Sequence, residues 1–145
     1  LLMPDRYESG TLNTPGIAGL RAGLEYIKER GMENIRAHEE TLTEYLLTGL
    51  EEVPGITVYG PKNCRAQAGV VALNLTATAC SETSFILDSE FEICSRPGLH
   101  CAPLAHLAIG TGELGAVRLS VGCFNTEAEI AQTVDALKKI ARNDY

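Results

Sequence analysis

The sequence predicts an α+β domain, a small and mostly antiparallel sheet with helices packed on one side. Two observations carry that expectation. Four stretches place apolar residues at helical spacing, and short runs rich in Val, Ile and Leu, bounded by Gly, Pro and Asn, stand between them. Their order is helix, helix, strand, strand, helix, brief strand, loop, strand and helix. At 145 residues the chain is one domain's worth, long enough to bury a core, and it holds no repeat and no low-complexity tract.

Residues 4–13 carry turn formers and no helical period, so they read as an extended linker or loop. Within them Gly10-Thr11 is a pair able to offer a backbone N–H and a hydroxyl to an anion, although turn formation alone explains it as well. Thr14-Pro15 marks a helix start, with the hydroxyl at the cap and Pro in the first turn. Ile17, Leu20, Leu24 and Ile27 follow at helical spacing, and Gly31 is a natural stop. A longer helix is expected over about 33–53, with Ile35, Leu42, Tyr45, Leu46 and Leu50 as its apolar stripe and Pro54-Gly55 as its end. His38 on this helix sits among charges and reads as part of a solvated face.

Residues 56–59 form a short strand and 69–75 a second, apolar enough to be central. Ser81 is expected to cap a helix over about 82–91, burying Phe85, Ile86 and Phe91. A brief strand fits 92–95. Residues 97–115 hold four glycines and two prolines, which predicts a loop with few fixed contacts and one helical turn near 102–108. The run 116–121 alternates as a strand should, with Val117, Leu119 and Val121 on one face and Arg118 and Ser120 on the other. Thr126-x-x-Glu129 is a capping box opening the last helix, whose stripe is Ile130, Val134, Leu137, Ile140 and Ala141. Lys138, Lys139 and Arg142 near its end suit the helix dipole.

A net charge of −7 argues against nucleic acid, because phosphate backbones reward basic patches. No apolar run approaches a transmembrane length and no signal-peptide pattern opens the sequence, so neither membrane nor nucleic acid is an expected partner. The five cysteines are odd in number and scattered, with no C-x-x-C pair, which suits free thiols in a cytoplasmic setting. Leu1-Leu2 reads as the end of an element that begins outside this chain, so a domain of a longer polypeptide is expected.

The chemistry concentrates in 95–106, where Arg96, Gly98, His100, Cys101 and His106 fall within a dozen residues. A thiolate is the reactive form of cysteine, and nearby cations stabilise it; a buried, inert thiol is the competing reading. Arg96 and Arg118 can both reach this loop, and two guanidinium groups facing one pocket suit a small carboxylate, although each could equally pair with a surface Glu. A zinc site from His100, Cys101 and His106 lacks a fourth ligand and the usual spacing, so no metal is expected. A Cys–His hydrolase fits poorly, because adjacent residues in extended backbone point their side chains apart.

These residues together resemble a known family. Arg96-x-Gly98-x-His100-Cys101-Ala102-x-Leu104, then Arg118-x-Ser120 and Phe124-Asn125-Thr126-x-x-Glu129-Ile130, is similar to the carboxy-terminal domain of cysteine desulfurases, in the class V aminotransferase group of fold-type I pyridoxal-phosphate enzymes. Arg6-Tyr7-Glu8-Ser9-Gly10-Thr11 and Asn13-Thr14-Pro15-Gly16-Ile17 resemble the segment that joins that family's two domains. The resemblance implies a linker over 1–14 and a small domain over 15–145, with the large domain and its pyridoxal-phosphate lysine outside this chain. None of Lys28, Lys62, Lys138 and Lys139 stands in a matching motif, so the chain alone is expected to bind no cofactor and to be inactive.

By the same resemblance Cys101 takes sulfur from L-cysteine as a persulfide, leaving alanine, and passes it to an acceptor protein. Arg118 matches the residue that binds the substrate carboxylate, with Arg96 and His100 beside it in the substrate pocket. Gly10 and Thr11 match the position that reaches the cofactor phosphate of the partner subunit in a homodimer. Leu99 stands where many relatives carry a first histidine. A selenocysteine lyase, another C–S lyase of the group, and a non-catalytic dimerisation or folding module are the alternatives.

Overall fold

The computed structural model describes residues 2–3, 5–7 and 10–145. Two compact units divide it, Leu1–Arg36 and Ala37–Tyr145. In the first, Asp5–Tyr7 form a short 3-10 turn within the stretch expected to be a loop, whereas Leu1, Pro4, Glu8 and Ser9 lie outside the described residues. Helix α1 covers Thr14–Arg30. Its cap is Asn13, whose side chain accepts from the Gly16 amide, so the expected Thr14 cap is displaced by one residue. An Asn at this position competes well because its carbonyl reaches the same orphan amide. Gly31 ends the helix as expected, at φ +81°, where a Cβ would be strained.

Helix α2 spans Met32–Leu50, shorter than expected, and 51–53 close in turns that bury Val53. Strands β1 (Ile56–Tyr59), β2 (Val70–Leu75) and β3 (Val117–Ser120) form an antiparallel sheet in the order β1-β2-β3. The register pairs Tyr59 with Ala72, and Ala72 in turn with Arg118. Helices α3 (Cys80–Phe91), α4 (Pro103–Ala108) and α5 (Glu127–Arg142) complete the second unit.

The core of this unit explains the α+β expectation. Val71, Leu73 and Leu75 of β2 and Val117 and Leu119 of β3 turn to one side, where Leu42, Leu46 and Leu50 of α2, Ile86 and Leu87 of α3, and Ile130, Val134, Leu137 and Ile140 of α5 cover them. On α2 and α5 these residues recur at three or four positions, which keeps each set on one stripe, and on α3 the adjacent Ile86 and Leu87 join the buried Thr83 on the inner side. Four features of this unit differ from expectation. Tyr45 is 42% exposed and Phe85 70% exposed, because Leu42, Leu46 and Leu50 take the buried stripe of α2, and Ile86 and Leu87 that of α3. Helix α3 begins at Cys80 with Ala79 as an extended cap residue and no side-chain cap, so Ser81 lies inside the first turn. Residues 92–95 form no strand; Glu92 takes a left-handed C-cap at φ +57° and pairing begins only at Arg96.

The capping box of α5 is formed. Thr126 Oγ1 accepts from the Glu129 amide at 3.3 Å, and Glu129 Oε2 accepts from the Thr126 amide at 2.7 Å. That amide, with the Asn125 and Thr126 side chains, holds the Glu129 carboxyl below the usual glutamate range. A carboxyl lowered on folding stabilises above its unfolded titration point and loses that contribution as pH falls through the folded one. Thr126→Ala should cost about 1 kcal/mol of stability by denaturant unfolding at neutral pH. The gap between variant and wild type should narrow as the pH is lowered into the acid range.

Candidate functional site

The side of the sheet opposite the helices gathers the polar groups. Alternation that buries Val71, Leu73 and Leu75 leaves Ala72 and Asn74 on this opposite face, and alternation on β3 leaves Arg118 there, half-buried. Beyond β3, Arg96 and Arg118 exchange two backbone hydrogen bonds of 3.1 and 2.8 Å, and Gly98 and Ala116 exchange two more of 3.0 and 3.1 Å. Directly opposed residues of an antiparallel pair share a face. Arg96 and Arg118 therefore extend the row that runs through Ala72 to Tyr59.

Gly98 and Gly115 make this approach possible. Both have positive φ, +96° and +68°, and a Cβ on Gly115 would stand 2.7 Å from the Gly98 Cα. Asn74 secures the same turn by donating to the Gly115 carbonyl at 2.9 Å. The expectation that 97–115 has few fixed contacts is thus corrected. The Gly98–Ala116 pair, Ala102 N to Leu99 O at 2.8 Å and Gly115 N to Thr111 O at 2.8 Å tie its backbone at intervals.

Within that frame His100 and Cys101 take consecutive left-handed conformations, φ +54° and +60°, which residues with a Cβ rarely adopt. The backbone here is not extended, so the sequence-based picture of side chains pointing apart does not apply. Arg96 Nη2 donates to the exposed Cys101 Sγ at 3.4 Å. His100 Nε2 lies 2.7 Å from the Arg96 carbonyl; a carbonyl only accepts, so Nε2 carries the proton and donates. His106 is buried in α4, with Nδ1 2.7 Å from Thr111 Oγ1 and its ring 5.2 Å from that of His100.

Arg118 completes the arrangement with an unused hydrogen-bond donor. Its Nε is buried and has no hydrogen-bond partner among the described residues. A buried donor without a partner costs free energy, and a planar guanidinium edge matches a carboxylate. The expected competition from a surface glutamate is not seen for this Nε. Gly10 and Thr11, in the other unit, are exposed. A cleft of about 350 Å³ bordered by Tyr59, Asn74, Thr78, Cys80 and Leu114 opens on the second unit, and its lining includes neither Arg96 nor Cys101. His38 is exposed as expected, but it also donates from Nε2 to the Asn125 carbonyl at 2.9 Å. No helix among the described residues is long and apolar enough to cross a membrane.

The aminotransferase class-V family matches residues 2–133. The chain belongs to that family. Cysteine desulfurases of Escherichia coli, from strains O157:H7 EC4115 and K12 DH10B, are each 40% identical over 139 residues, 96% of this chain and 33% of the relative. The solved apo cysteine desulfurase of Thermococcus onnurineus NA1 superposes with a TM-score of 0.88 at 32% identity, covering 97% of this chain and 34% of that one. The E. coli cysteine desulfurase CsdA in its S-sulfonic acid form gives 0.80 at 25% identity, covering 97% and 33%. This class-V chain spans about a third of the length of these relatives. Family and fold class agree with the expectations drawn from the motifs.

Sequence reasoning singled out Cys101, Arg96, Arg118 and His100, and these do come together or pair through backbone. It missed Asn74 and Thr111. Asn74 reads as one polar residue inside an apolar strand, a signal for a side chain turned off the core. Thr111 lies between two glycines, and nothing in its neighbourhood marks it as a partner for His106.

Proposed function

We propose that residues 15–145 are the small domain of a pyridoxal-phosphate-dependent cysteine desulfurase, with 1–14 as its linker, and that Cys101 accepts sulfur from L-cysteine. The observation that carries this reading is the exposed Cys101 sulfur hydrogen-bonded by Arg96, whose backbone pairs with that of Arg118. A guanidinium at the sulfur stabilises the anion through which thiols attack. The unpartnered Arg118 Nε supports its assignment to the substrate carboxylate. Arg96 fits the thiol more closely than the substrate, and His100 acts beside it by fixing the Arg96 carbonyl.

In the reaction the Cys101 sulfur attacks the substrate sulfur. The new S–S bond forms as the substrate C–S bond breaks, and the electron pair with a proton goes to carbon as alanine. Cys101 is left as a persulfide for transfer to an acceptor protein. The cofactor, when bound, supplies an electron sink for that pair. Among the described residues its phosphate has candidates in the exposed backbone of Gly10 and hydroxyl of Thr11, which would serve the partner subunit of a homodimer. Lys138 is occupied by Glu52 at 2.6 Å and Lys139 stands over the Phe91 ring, consistent with an anchoring lysine elsewhere in the full-length protein.

The full-length protein supplied with pyridoxal phosphate and L-cysteine should form alanine together with an equal amount of protein-bound sulfur in its first turnover. Pyruvate, ammonia and free sulfide in place of alanine, with no bound sulfur, would assign a β-eliminating lyase instead. Absence of alanine would overturn the reading.

A further inference from the structure

We propose that the buried His106–Thr111 pair is a positioning device that holds the Cys101 loop in its strained presentation, an inference that rests on Cys101 being the reacting thiol. Two consecutive residues with a Cβ at positive φ are unfavourable, and such conformations persist where surrounding contacts over-determine them. The contacts that could do so form one connected path. Thr111 N donates to the His106 carbonyl at 2.8 Å, and Thr111 Oγ1 shares a 2.7 Å hydrogen bond with His106 Nδ1. The His106 ring so fixed lies 5.2 Å from His100, tilted by 57°, within ordinary aromatic packing distance. His100 in turn donates to the carbonyl of Arg96, the residue whose guanidinium holds the Cys101 sulfur.

Burial separates this path from an incidental surface contact. His106 is 4% exposed and Thr111 2% exposed, whereas Leu104 and Leu107 on the same short helix are largely exposed. The polar residues of this turn are thus inside and the apolar ones outside, the reverse of the usual partition. A hydrogen-bonded pair kept buried at the cost of desolvation, next to a strained reactive loop, acts as a strut. Neither side chain touches the Cys101 sulfur by hydrogen bond among the described residues, so their effect passes through His100 and Arg96.

The test uses the full-length holoenzyme. Thr111→Val keeps size and branching but removes the hydroxyl, and Thr111→Ser keeps the hydroxyl. Thr111→Val should slow iodoacetamide alkylation of Cys101 about tenfold relative to Cys94 in the same molecule, with a matching fall in kcat and little change in KM for cysteine. Thr111→Ser should restore both. Equal Cys101 and Cys94 ratios in wild type and Thr111→Val would overturn the proposal, as would a Thr111→Val protein that alkylates Cys64, Cys80, Cys94, Cys101 and Cys123 alike through general unfolding while Thr111→Ser does the same. A selective alkylation change in a protein that makes no alanine would leave the strut standing and discard the desulfurase reading instead.

Discussion

Cys101→Ala in the full-length protein should bring sulfur transfer from L-cysteine to background, a loss of roughly three orders of magnitude or more, while pyridoxal phosphate still binds. The size follows from the role: without the thiol no S–S bond can form, and among the described residues Arg96 hydrogen-bonds no other sulfur. The substitution is also clean. Cys101 is exposed, so removing its sulfur opens no cavity, and alanine at φ +60° meets the same Cβ strain as cysteine. Unchanged thermal stability alongside lost turnover would separate chemistry from folding. Full turnover retained in the variant would assign a lyase that needs no sulfur-accepting residue.

Arg118→Ala should act on substrate binding. Its Nε is a buried donor awaiting an acceptor, and the neighbouring Ala72 and Asn74 offer no competing charge on that face. Losing a charged hydrogen-bonding partner costs roughly 1.5–3 kcal/mol, so cysteine should bind about tenfold to 150-fold more weakly. The effect should appear chiefly in KM, with first-turnover persulfide formation recovering at high cysteine. Arg118→Lys should rescue charge but not the planar, two-pronged fit. A KM unchanged by Arg118→Ala would move the carboxylate site elsewhere, with Arg96 the next candidate.

Much of the fold was legible because it rests on periodicity. The alternation of 116–121 gave the faces of Arg118 and Leu119 correctly, and the Thr126–Glu129 box gave the start of α5. Where a local signal had rivals, the sequence alone did not rank them. Asn13 outcompeted Thr14 as a cap through its own carbonyl on the Gly16 amide, and Phe85, though large and apolar, stands outside because α3 turns Ile86 and Leu87 inward. The site was legible in composition but not in geometry. Nothing in a separation of 22 residues shows that Arg96 and Arg118 pair directly, and no residue pattern foretells positive φ at both His100 and Cys101. Thr111 was invisible for the same reason, since its meaning lies in the buried histidine it meets.

The central claim is that sulfur from L-cysteine arrives on Cys101. Mixing the full-length holoenzyme with one equivalent of L-cysteine, trapping with an alkylating reagent and mapping the peptides by mass tests it directly. The account predicts that the peptide carrying Cys101 gains the mass of one sulfur atom while those of Cys64, Cys80, Cys94 and Cys123 do not. Extra sulfur on another cysteine, or on none while alanine accumulates, would contradict it.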